Sequence, residues 1–236
     1  MNSNTTQAAL LLTTVCILGV LLISAFLTDR AINVYNEYEQ LKGRKCVIID
    51  AGHGGIDGGA VSCTGVAESQ INLSIAQRLN DMMHLLGINT YMIRTDDVSI
   101  YKSGNSIAAK KVSDLKERVR IVNETENAIL ISIHQNYYED SRYYGAQVFY
   151  NTDGTLAKEL QSVFVKTVNP GSNRKAKKAD GVYLLQNVSC PAALIECGFI
   201  SNDMEEELLR NPEYQKKLCS IIASVVSCYI YNNGVA

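Results

Sequence analysis

Four residues in this 236-residue chain have the types and settings that chemistry needs: His53, Glu68, His134 and Glu196. There are only three histidines. His84 sits beside Met82, Met83 and Leu85 in a helical stretch, which suits a structural or surface role. His53 follows the apolar run 47–50, and His134 ends the apolar run 128–134. Two imidazoles, each released from a strand into a loop, suit metal ligation, since catalytic zinc commonly takes two histidines, one carboxylate and an open position. Glu68 is the candidate carboxylate. An acid at a helix N-terminus is equally favoured by the macrodipole, so spacing alone leaves both readings of Glu68 open. Glu196 closes the apolar part of ALIECGF, where a carboxylate is costly to bury without a partner. It either pairs with an arginine such as Arg118, or acts as a general base whose pKa its setting raises. Asp50, three residues before His53, is a candidate to orient that imidazole.

Other chemistries find no support. Five glycines crowd IIDAGHGGIDGG, but Asp57 occupies the third glycine position of a G-x-G-x-x-G loop. No phosphate-binding G-x-x-x-x-G-K-[ST] and no G-x-S-x-G elbow is present. The seven cysteines are odd in number and form no C-x-x-C pair, which argues against a disulfide framework or a cysteine-rich zinc site. A Cys–His pair built on Cys63 or Cys197 has no local signature. The formal net charge of −2 offers no field for nucleic acid. The basic run NRKAKK, 173–178, reads as a solvated loop, with an anionic polymer as its weaker alternative.

The elements that must position these residues alternate. Strands are expected at 47–50, 88–94, 128–134, 146–150, 182–185 and 192–195. Helices are expected at 68–86, 113–127 with Ser113 as cap, 154–168 and 212–231. Such alternation predicts an α/β domain with a largely parallel sheet, whose ligand groups gather beyond the carboxyl ends of the strands. Residues 8–27 carry no charge over about the length that spans a bilayer. The expected organisation is therefore a signal anchor or signal peptide over 1–28, a polar linker over 29–43 and one catalytic domain over 44–236. Arg30, Lys42, Arg44 and Lys45 follow the apolar segment and none precedes it, which by the positive-inside rule would keep the domain cytoplasmic.

Taken together, the motifs resemble those of the zinc-dependent N-acetylmuramoyl-L-alanine amidases of bacterial cell walls, from about Lys45 to Tyr231. IIDAGHGGIDGGA, GVAESQINL, IRTDD, DLKERVRIVN, ISIHQN and PAALIECGFISN stand in the family's order. The resemblance implies a twisted sheet flanked by helices, zinc on His53, Glu68 and His134, and Glu196 as the catalytic base. It places Arg118 and Asn136 beside the site. The implied reaction is hydrolysis of the amide joining N-acetylmuramic acid to L-alanine of the stem peptide. IYKSGNSIAAKKVSDLKERV, 100–119, is similar to the sporulation subfamily that begins muramic-δ-lactam formation in spore cortex. That substrate requires export, membrane attachment through the N-terminal helix, and a domain outside the cytoplasm despite the basic flank. The residues show no wall-binding repeats, so an activating protein partner is expected to support zinc or substrate affinity. The alternatives are a zinc peptidase or deacylase of another amide, and a catalytically silent wall-binding module.

Overall fold

Six consecutive buried residues, CVIIDA, form strand β1 (Cys46–Ala51). A strand buried along its whole length belongs in a sheet covered on both faces. The computed structural model describes residues 3–234 and places β1 between β2 (Asn89–Met92) and β3 (Ala128–Asn136), parallel to both. β3 pairs in parallel with β6 (Ala192–Phe199), and β6 pairs antiparallel with β4 (Gln147–Tyr150). A two-residue β5 (Lys177–Lys178) completes a six-stranded sheet of order β2-β1-β3-β6-β4-β5. The architecture is thus a mixed α/β domain with a mostly parallel sheet.

Alternation along the strands sends side chains to two cores. Val47, Ile49, Ile131, Ile133 and Ile195 face α2 (Glu68–Leu85), α4 (Thr155–Thr167) and α7 (Pro212–Gly234). Ile48, Leu130 and Leu194 face α3 (Ile107–Glu124) and α5 (Tyr183–Asn187). α6 (Asp203–Arg210) is a short helix that the sequence patterns did not reveal, capped by Asn202, whose side chain accepts the Glu205 amide.

Two expectations are corrected. Residues 182–185 begin the helix α5 and do not form a strand, because an apolar run of that length fits a buried helical turn as well as a strand. The third helix starts six residues before Ser113, with Ser106 accepting the Ala109 amide as its cap (3.2 Å). Ser113 instead accepts the Lys102 and Ser103 amides and pins the preceding loop.

The chain divides after Arg44. The first unit is the helix α1 (Ser3–Lys42), which continues through the polar stretch 29–42. Its segment Thr13–Asn33 has a mean hydropathy of 2.0, long and apolar enough to cross a membrane.

Candidate metal centre and catalytic cavity

The parallel strands β1, β3 and β6 bring their carboxyl ends together, and the candidate residues collect there. His53 lies in the loop two residues after β1. His134 lies near the end of β3, directly beside Glu196 of β6 in the register, and the pairing slips by a residue after them. Such irregularities re-aim side chains and are frequent next to active sites. Glu68 opens α2.

The ligand atoms of His53, Glu68 and His134 all lie within 4.8 Å of one another. Glu68 Oε2 is 3.3 Å from His53 Nε2, and Oε1 is 3.0 Å from His134 Nδ1. The carboxylate also accepts the amides of Ala60 and Gln135 and the Asn72 side chain. Burial would raise the Glu68 pKa, but the His134 and His53 imidazoles hold it far below the usual range. Burial likewise would lower the His53 pKa, and the Glu68 and Asp57 carboxylates outweigh it, lifting it to about 9. A carboxylate held ionised between two imidazoles, with a second carboxylate on one of them, has the electrostatics of a cation site. Two imidazoles and one carboxylate are also the donor set that catalytic zinc takes, so the residues fit the metal.

Two glycines answer to this packing. A side chain on Gly52 would stand 2.2 Å from the His134 ring. Gly59 has φ +71°, and a side chain there would meet the Glu68 carboxylate at 2.6 Å and the His53 ring at 2.8 Å. His53 itself has φ +61°, a strained conformation for a residue with a Cβ. Its backbone is held by Arg118, which donates to the His53 carbonyl at 2.7 Å.

Glu196 is placed otherwise. Its Oε2 is buried and has no hydrogen-bond partner. Burial pushes its pKa up to about 7. It faces a cavity of about 370 Å³ shared with His53, His134 and Asp57, with Leu115 and Leu194 on its apolar side. A desolvated carboxyl with one unused oxygen, on a residue that shares a cavity with His53 and His134, is suited to exchange a proton with a bound molecule.

The remaining candidates divide. Arg118 does not pair with Glu196: its guanidinium forms a buried ion pair with Asp50 and bonds Asp114 at 2.6 Å. Asp50 does not reach the His53 ring, because Arg118 and the Ser132 hydroxyl take its two oxygens. The residue that orients His53 is Asp57, whose Oδ2 is 2.9 Å from Nδ1. Asp57 is bonded in turn by Lys111 from α3 at 2.7 Å. Asn136 ends β3, accepts the Ile200 amide through its carbonyl, and does not line the cavity. Arg94 of the IRTDD motif bonds the Ala51, Gly52 and Ser69 carbonyls, tying the glycine loop to α2. The only sequence signal for Asp57 was its place four residues after His53.

Comparison with known proteins matches the family model described as N-acetylmuramoyl-L-alanine amidase to residues 47–228. The germination-specific N-acetylmuramoyl-L-alanine amidase of Bacillus subtilis is 36% identical over 195 residues, covering 80% of this chain and 81% of that one. The CwlD amidase of Clostridioides difficile, solved in complex with the GerS lipoprotein, is 38% identical with a TM-score of 0.75, covering 80% of this chain and 100% of that one. An N-acetylmuramoyl-L-alanine amidase of Clostridium difficile 630 is 31% identical with a TM-score of 0.70, covering 81% and 99%.

Proposed function

The chain belongs to the N-acetylmuramoyl-L-alanine amidase family, and from that premise we propose that His53, Glu68 and His134 hold a zinc ion beside Glu196 as general base. The reaction is hydrolysis of the amide between N-acetylmuramic acid and L-alanine of the stem peptide. When bound, zinc supplies a Lewis acid that polarises the scissile carbonyl and favours attack by water.

This chain's own residues do the rest. Glu196 accepts a proton from the attacking water as oxygen bonds to the carbonyl carbon. It then gives that proton to the departing amine nitrogen as the C–N bond breaks, which restores the carboxylate. A group with a pKa of about 7 is suited to both transfers near neutral pH. Glu68 stays ionised beside it, because its environment favours the charged form that Glu196's environment opposes. Asp57 fixes the His53 tautomer, and Arg118 fixes the His53 backbone. Leu115 and Leu194 keep that side of the cavity apolar, which strengthens the electrostatics inside.

The observation that carries this reading is the buried, unpartnered oxygen of Glu196, a residue that lines the same cavity as His53 and His134. Mass spectrometry of peptidoglycan digested by the zinc-loaded chain tests it. Release of intact stem peptides is expected, with Glu196→Gln lowering the rate by about 10²–10⁴-fold. Cleavage between amino acids would point to a peptidase, and digestion that survives Glu196→Gln would remove the base.

The germination-specific relative and the 100–119 segment support a spore-cortex setting. Muropeptides from a strain without this protein should then lack δ-lactam; unchanged δ-lactam would move the enzyme elsewhere. The apolar helix supports attachment to a membrane, and a cell-wall substrate supports a domain on the wall side. Protease treatment of intact cells should digest the domain, and full protection would overturn that placement. The relative's complex with a lipoprotein supports a protein partner that raises zinc or substrate affinity. Zinc titration with and without such a lipoprotein should show tighter binding with it, and tight binding by the chain alone would remove the need.

A further inference from the structure

The eight residues after β3 read YYEDSRYY, 137–144. Seven tyrosines are exposed among the described residues, and four of them are Tyr137, Tyr138, Tyr143 and Tyr144. Exposed aromatics concentrated in one place mark a surface that binds something.

They are organised. Tyr138 and Tyr143 meet edge-on with centroids 4.6 Å apart, and Tyr143 lies 6.3 Å from Phe199. Arg174, from the basic run, covers Phe199 at 5.0 Å and donates to the Tyr144 carbonyl at 3.1 Å. The Ser201 hydroxyl accepts the Tyr138 amide and fastens the loop to the chain leaving β6. A groove of about 460 Å³ runs between Tyr143, Tyr144, Arg142 and Arg174. Part of the run 173–178 is therefore one wall of this groove and not merely a solvated loop.

The position names the occupant. Tyr137 and Tyr138 follow the strand that carries His134, and Phe199 ends the strand that carries Glu196. The platform thus continues from the two strands that build the cavity. A stem amide is reached on a sugar within a polymer, so neighbouring sugars must lie along the protein beyond the scissile bond. Sugar rings offer C–H faces to aromatic rings and hydroxyls to polar edges, and tyrosine supplies both at low entropic cost.

We propose that the 137–144 loop, with Arg174 and backed by the buried Phe199, is a glycan-binding subsite that holds the peptidoglycan strand flanking the sugar under attack. The proposal rests on the amidase reading and adds a site for the part of the polymer that does not react.

The test uses the full chain in detergent and two probes: glycan strands stripped of stem peptides, and a soluble muramoyl-peptide of one sugar. The parent should co-sediment with stripped glycan. Tyr138→Ser with Tyr144→Ser should weaken that binding at least tenfold and raise KM on whole sacculi at least tenfold. Turnover of the one-sugar probe should stay within twofold, which also shows that the variant folds. Tyr138→Phe with Tyr144→Phe should keep most of the binding. Three results would overturn the subsite: no binding of stripped glycan by the parent, equal losses on both substrates, or loss of a protein partner with glycan binding intact. A parent that binds stripped glycan but does not cleave the one-sugar probe would count against the amidase reading and leave the subsite standing.

Discussion

On the β1 side of the cavity, Asp50, Glu68 and Arg118 each hold several partners, whereas on the β6 side Glu196 leaves one oxygen with none. The β1 side carries the strain of His53's positive φ, and the bonds from Arg118, Asp57 and Glu68 constrain it. The β6 side is bare, so burial acts on Glu196 unopposed by hydrogen bonds and leaves it ready to trade a proton. In the proposed mechanism, ligands that must not move are thus surrounded by partners, and the group that exchanges protons is left without them. Metal affinity and stability should therefore respond mainly to changes on the first side, and proton transfer to changes on the second.

Arg118→Met would break the comparison most severely. It leaves Asp50 buried and unpaired and frees the His53 carbonyl. Removing one partner of a buried ion pair typically costs about 3–5 kcal/mol, and urea unfolding of the metal-free chain should show a loss of that order. A loss below about 1 kcal/mol would mean that the network is not what holds this wall.

Glu196→Gln should act in the opposite sense on stability. In the metal-free chain the Glu196 carboxyl titrates at about 7, against 4.5 as its ordinary value. Between those pH values the unfolded chain releases a proton that the folded chain retains, so stability falls as pH rises through this window and is level above it. The total is about 3 kcal/mol from the 4.5-to-7 shift. The glutamine variant should lose this slope and be the more stable protein at pH 8 while being the less active. Parallel pH profiles for the two would show that burial does not penalise the charge.

Lys111→Met tests the outermost bond on the β1 side. Lys111 holds Asp57, and Asp57 holds His53. Zinc affinity, read by competition with a chromogenic chelator, should fall by about tenfold, the low end for partners of metal ligands, because Lys111 is half-exposed and acts at one remove. Lys111→Arg should recover most of it. Unchanged affinity would place the boundary of the network at Asp57.

Much of the fold was legible locally. The apolar runs of β1, β3 and β6 and the periodicity of α2 and α7 report burial residue by residue. They stood out because a strand or helix writes its own period into the chain. His53, Glu68, His134 and Glu196 were legible because each sits where an apolar run gives way to a loop or a helix start. α5 was not legible, since four apolar residues fit either period. The start of α3 was misplaced because both Ser106 and Ser113 can cap a helix, and only the loop packed against Ser113 shows which one does.

The sequence by itself determined which residues could serve as ligands and base, and the order of elements that carries them. The tertiary structure decided who pairs with whom. Arg118 meets Asp50 across 68 residues of chain, and Glu68 meets His134 across 66. Asp57, not Asp50, turns to His53, because the loop folds back on itself while Asp50 points into the sheet toward Ser132 and Arg118. Local patterns encode burial and turning, which depend on near neighbours. Hydrogen-bond partners depend on which distant segments the sheet order sets side by side, and that is fixed only when the strands assemble.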